Sequence, residues 1–114
     1  MKANELRIGN WVYHKGANFE PIQIDKGEQI DGCEFAEPIP LTPEILEKCC
    51  IKDVWIKNSW KVVEDISGGE SFGWSMKVRN ANYDKEIEFA YFKYLHQLQN
   101  LYFALTGFEL IYNI

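Results

Sequence analysis

The chain has 114 residues, 46% of them apolar, which suits one hydrophobic core of ordinary size in a single domain spanning residues 1–114. Twelve bases against 17 acids leave a net charge of -5, which opposes binding to a phosphate backbone, and the acids are too scattered to form an acidic tail that imitates one. No apolar run approaches the roughly 20 residues of a membrane span, and MKANELRIGN lacks the apolar stretch and cleavage site of a secretory signal, so a cytoplasmic protein is expected.

In chain order, Leu6 to His14 reads as a strand, Lys15 to Asn18 as a turn and Phe19 to Ile24 as a second strand, together an opening hairpin. Asp25 to Pro40, with Gly27, Gly32, Pro38 and Pro40, has no clear period and reads as loop with one short strand near Ile30. A short helix starts at Thr42, whose hydroxyl can cap it, with Pro43 in the first turn and Ile45, Leu46 and Cys49 on its buried side. From Val54 the period becomes two. Strands are expected at Trp60 to Ile66, Phe72 to Arg79 and Lys85 to Phe92, turning at Gly68–Gly69 and at Asn80 to Asp84.

Side-chain chemistry selects a register for the last hairpin. Trp74 falls against Tyr91, Met76 against Phe89 and Val78 against Ile87, while Lys77 meets Glu88 and Arg79 meets Glu86, which implies a tight connection at Asn82 and Tyr83. A long helix follows from Tyr94 to Thr106, capped by Gly107, and the alternation of Phe108, Leu110, Tyr112 and Ile114 predicts a closing strand. The expected class is α+β: a curved antiparallel sheet, which the opening hairpin could make barrel-like, with one long C-terminal helix and one short middle helix.

Chemistry is sparsely signalled. Three cysteines, Cys33, Cys49 and Cys50, are an odd number with no CxxC pair, so neither a disulfide framework nor a zinc site is expected; they read as small buried hydrophobes. His14 and His96 stand at no metal-ligand spacing, and no cofactor motif is present. Gly68 and Gly69 lack the Lys and Ser/Thr of a phosphate loop. Asp25, Asp31, Glu34 and Glu37 could form an acid/base pair only if their loop folded over a cleft, so an enzyme is the third choice.

Aromatic residues make up 15% of the chain, and Trp11, Trp55, Trp60 and Trp74 all fall on predicted strands. They either fill the core or surface at an interface. Beside Lys57, Lys61, Lys77 and Arg79 they could also form a base-stacking platform, so a nucleic-acid-binding module is the alternative function, opposed by the Glu partners of Lys77 and Arg79.

The long helix is the strongest functional signal. Tyr94, Leu95, Leu98, Leu101, Tyr102 and Leu105 form an apolar stripe, yet the other side, with His96, Gln97, Gln99, Asn100 and Phe103, carries no charge. Such a face is expected to be covered, either by another segment of this chain, the Asp25 to Pro40 loop being one candidate, or by a partner. The expected function follows from the second option: a non-enzymatic interaction protein that uses these five residues to bind a protein partner or a second copy of itself, without membrane contact.

YLHQLQNLYFALTGFEL, with LRIGNWVY and IPLTPEILEKC, resembles a group of small uncharacterised proteins of gut-bacterial genomes, prophages and mobile elements. The resemblance covers most of the chain and implies a phage or mobile-element origin, with no activity, cofactor or partner attached. Members of that group have Gly after the mid-chain Cys, where this chain has Cys50.

Overall fold

The computed structural model describes residues 5–27, 29, 35–57, 59–67, 70–80 and 85–113. The chain is α+β with antiparallel strands, as expected; they form two three-stranded sheets rather than one, and these do not take the barrel-like option. It divides into two compact units, Met1–Pro40 with Tyr94–Leu110, and Leu41–Lys93 with Ile111–Ile114.

The first unit is built on β1 (Trp11–His14), which pairs on one side with β2 (Glu20–Gln23) and on the other with β3 (Ala36–Glu37). A single 3₁₀ turn at Lys15–Ala17 leads into Asn18 and Phe19, both with positive φ, 54° and 58°. Asn tolerates that region, whereas Phe pays in steric strain for the reversal. β3 lies in the stretch read as loop, and the strand expected near Ile30 falls outside the described residues. Leu6, Val12, Ile24 and Ala36 form a small core, with Ile22 and Phe35 packed against it.

Helix α2 (Leu95–Thr106) completes this unit, its first amide donating to the carbonyl of Ile39 at 2.8 Å. Gln97 Oε1 accepts from the Tyr94 amide at 3.1 Å, which closes a capping box, and Gly107 ends the helix at φ 76°. Leu95 and Leu98 are buried, as the apolar stripe requires. The closing strand is not formed at residues 108–113. Leu110 is buried, but Glu109 turns back to Arg7 and Phe108 and Ile111 are exposed, so the alternation reflects no sheet.

In the second unit the short helix α1 (Pro43–Lys48) begins as its sequence dictates, with Thr42 Oγ1 accepting from the Ile45 amide at 3.3 Å and Pro43 in the first turn. Its end is a Schellman motif: the Cys50 amide donates to Glu47 O and the Ile51 amide to Leu46 O, with Cys50 at φ 60°. The left-handed position is one that glycine usually fills, so the helix keeps a glycine-type ending without the glycine.

Strands β4 (Trp60–Ser67), β5 (Glu70–Asn80) and β6 (Lys85–Phe92) form a meander in sequence order. Met76↔Phe89, Lys77↔Glu88, Val78↔Ile87 and Arg79↔Glu86 pair as side-chain matching predicts. Beyond Met76 the register departs: Trp74 meets Phe92, not Tyr91. The extra residue is Ala90, at φ 56°, a bulge that turns Phe92 inward (5% exposed) and Tyr91 outward (74% exposed). Trp74 lies in the core beside Val62 and Met76, while Trp55 precedes β4 and is on no strand, contrary to expectation. The turns expected at Gly68–Gly69 and Asn82–Tyr83 lie outside the described residues.

An L-residue in the left-handed region costs roughly 1–2 kcal/mol, part of which glycine gives back as chain entropy. Replacement of Cys50 by Gly is therefore expected to raise unfolding stability by about 1 kcal/mol, read as a higher urea midpoint with an unchanged slope.

Candidate interaction surface

Much of the uncharged side of α2 is occupied, and among the described residues the segment Glu5 to Trp11 bonds to it through Gln99 and Asn100. Gln99, fully buried at 0% exposure, donates from Nε2 to the carbonyl of Gly9 at 2.9 Å and accepts at Oε1 from the Trp11 amide at 2.8 Å. One side-chain amide thereby does for this backbone what a neighbouring strand would do. Asn100 extends the seam: its Nδ2 donates to Glu5 O at 3.2 Å, and its Oδ1 accepts from Asn10 Nδ2 at 2.8 Å and from Arg7 Nε at 3.1 Å. Asn10, itself buried, accepts the Arg7 amide at 2.7 Å. Amides suit the position because each supplies a donor and an acceptor without the cost of burying a charge.

Arg7 closes the seam at its outer end. Its guanidinium pairs with both carboxylate oxygens of Glu109, donates to the carbonyl of Ile8 at 3.3 Å and lies 4.6 Å from the centre of the Phe103 ring. A fork held by a carboxylate and resting on an aromatic face is a pre-organised arginine, with little rotamer freedom left to lose. Gly9, at φ 101°, permits the close approach, since a Cβ there would stand 3.3 Å from Glu109 Oε2.

The five residues read as a partner-binding face thus separate. His96 and Gln99 are buried within the first unit, and His96 stacks on Tyr94 with ring centres 6.0 Å apart. Gln97 caps its own helix, and Asn100 is half-buried and committed to Glu5, Arg7 and Asn10. Only Phe103 presents a substantial face outward, 41% exposed, followed by exposed Ala104 and Phe108. Arg7 and Glu109 were not singled out in the sequence; the charge pattern of LRIGN and GFELI holds no sign that residues so far apart meet.

The other candidates are dispersed. Burial, reinforced by Cys50, pushes the Cys49 thiol up to about 12, which leaves it protonated and a poor nucleophile, and Cys50 is exposed. Glu37 pairs with Lys15 at 2.9 Å and Asp25 is exposed, whereas Asp31, Glu34 and Cys33 fall outside the described residues. In the second unit the Trp55 ring carries the Arg79 guanidinium at 4.1 Å and Lys61 Nζ at 5.8 Å, so part of the stacking surface is already occupied. No helix among the described residues is long and apolar enough to cross a membrane. No protein-family model matches the chain, and no match is found among curated proteins or solved structures.

Replacing Gln99 by Ala removes two hydrogen bonds, one to the Trp11 amide and one to the Gly9 carbonyl, which keeps its 3.1 Å bond from Gln23 Nε2; at about 1 kcal/mol each, a loss of about 2 kcal/mol in chemical unfolding is expected. Replacing it by Glu costs at least as much, because a carboxylate cannot donate to Gly9 O. Protonation gives a second test. Burial holds His96 below its ordinary value of 6.5, with Glu5 opposing weakly. The unfolded chain then takes up a proton near pH 6.5 that the folded chain refuses, so this group leaves stability flat above that pH and lowers it as pH falls toward the folded value. His96→Leu should flatten that part of the pH–stability curve.

Proposed function

We propose that this chain is a non-enzymatic interaction protein of phage or mobile-element origin, acting in the cytoplasm, which binds a protein partner through the C-terminal end of α2. The origin rests on the resemblance of its three motifs. The binding role rests on one observation: the half-exposed Phe103 ring with the Arg7 guanidinium clamped over it by Glu109 and Asn100. Aromatic and arginine side chains dominate binding energy at protein interfaces, the more so when their conformations are settled before the partner arrives. Phe108, exposed beside the helix cap, widens the apolar area. His96, Gln97, Gln99 and Asn100 act from beneath, holding the helix and its covering segment as a rigid base for Phe103.

The nucleic-acid reading has the Trp55, Lys61 and Arg79 cluster in its favour, but the net charge of -5 weighs against it. Titration with single-stranded DNA at low salt distinguishes it, and absence of binding there removes it.

The test of the main reading is Phe103→Glu. A half-exposed ring contributes modestly to folding, so a stability change of about 1 kcal/mol or less is expected, together with loss of the partners that the wild-type chain retains in affinity capture. Collapse of stability would identify Phe103 as a core residue, and unchanged capture would remove the helix end as the binding surface.

A further inference from the structure

Beyond partner binding by the first unit, the second unit carries a strand edge with a self-complementary pattern. β4 and β6 are the two edges of the β4-β5-β6 sheet. The β6 edge is interrupted by the Ala90 bulge, a feature that blunts strand addition. No such interruption lies on β4: the register change against β5 falls where Gly73, at φ 115°, is the extra residue, on β5 and not on β4.

Which groups of β4 face outward follows from its pairing. The Arg79 amide donates to Ser59 O, so alternate positions from Ser59 onward exchange hydrogen bonds with β5, and the amide and carbonyl of Val62 and Glu64 point away from the sheet. Trp60 O, also outward, accepts the Ile56 amide at 2.6 Å, which ends the free edge on that side. Alongside Lys61 to Glu64 runs a groove of about 190 Å³, walled by Pro43, Leu46, Lys52, Asp53 and Trp74.

We propose that β4 pairs antiparallel with β4 of a second copy of this chain, with Val63 on the twofold axis. In that register Val62 of each copy exchanges two backbone hydrogen bonds with Glu64 of the other, and Lys61 of each stands opposite Asp65 of the other. Shifting the axis to Val62 sets Lys61 opposite Val63 and leaves both charges unmatched. The case for a second copy as the occupant is this charge complementarity, four residues apart on one strand. Within its own sheet Lys61 lies directly across from Lys77, an unfavourable pairing that an incoming carboxylate offsets. Among the described residues Asp65, on the same face, accepts a single long 3.4 Å bond, from Ser75 Oγ, so it can turn to a new partner. The joined sheets would be six-stranded and continuous, with both open edges now formed by the bulged β6.

Charge exchange tests this directly. Sedimentation over a range of concentrations should show a reversible dimer of the wild-type chain. Lys61→Glu alone and Asp65→Lys alone should each weaken it about tenfold or more, since two attractive cross-strand pairs become repulsive. An equimolar mixture of these two variants should recover it, because each then supplies the charge the other lacks. The exchanged double variant, Lys61→Asp with Asp65→Lys, should dimerise like the wild type and serves where a single variant folds poorly. A wild type that stays monomeric throughout overturns the proposal, as does a dimer indifferent to both single variants, or a failure of both the mixture and the double variant to associate. Loss of the dimer in Phe103→Glu but not in Lys61→Glu would assign self-association to the end of α2 instead.

Discussion

Everything in the first unit depends on a single side chain reading two backbone groups at once. Gln99 bonds Gly9 O and Trp11 N, the two groups that flank Asn10, and so fixes the chain on either side of a buried polar residue. Without it, the Trp11 amide would lose this acceptor and the Gly9 carbonyl would keep only its bond from Gln23 Nε2. The remaining contacts of the seam assume that alignment: Asn100 can collect Asn10, Arg7 and Glu5 only because the segment already lies along the helix in that register. A polar interface is costly where it is incomplete and specific where it is complete. Here it lets α2 hold irregular chain on its polar side while Leu95 and Leu98 enter the apolar core.

The second unit shows how local backbone devices set what faces outward. Cys50, Asp53 and Lys57 all adopt positive φ between α1 and β4, so the connection is a succession of sharp reversals rather than a relaxed loop. Gly73 and Ala90 place bulges on β5 and β6, and each reassigns the side chains beyond it to the opposite face. The consequence at Ala90 is the more visible: an exposed Tyr91 and a buried Phe92, both aromatic, exchange the places that simple alternation would assign them.

Much of this was legible in the residues. Thr42-Pro43 and Gly107 mark helix ends by capping chemistry, and the ionic and apolar pairs of β5 and β6 select the register over five consecutive positions from Met76 to Asn80. The absence of charge on the second side of α2 also pointed to a covered face. What covers it could not be read, since the partners of Gln99 are main-chain atoms and a backbone carbonyl leaves no mark in the sequence. The bulge at Ala90 escaped for a related reason: both flanking aromatics suit the core, so composition does not say which is inside. At the other extreme, the alternation after Gly107 imitates a strand, although Glu109 is held by a guanidinium and only Leu110 of its neighbours is buried. Arg7 and Glu109 meet through tertiary placement alone, and so the clamp over Phe103 was invisible.

The first unit is discontinuous, assembled from residues at the start of the chain and others well past its middle. During vectorial synthesis the opening hairpin leaves the ribosome long before the helix that satisfies its preceding segment has been made. The intervening β4-β5-β6 meander, by contrast, has nearly all its partners close by in sequence and can settle early. Until Gln99 emerges, the two bonds that it supplies to Gly9 O and Trp11 N are left to water and to Gln23 Nε2, and the amino-terminal stretch waits as an open template for the last helix.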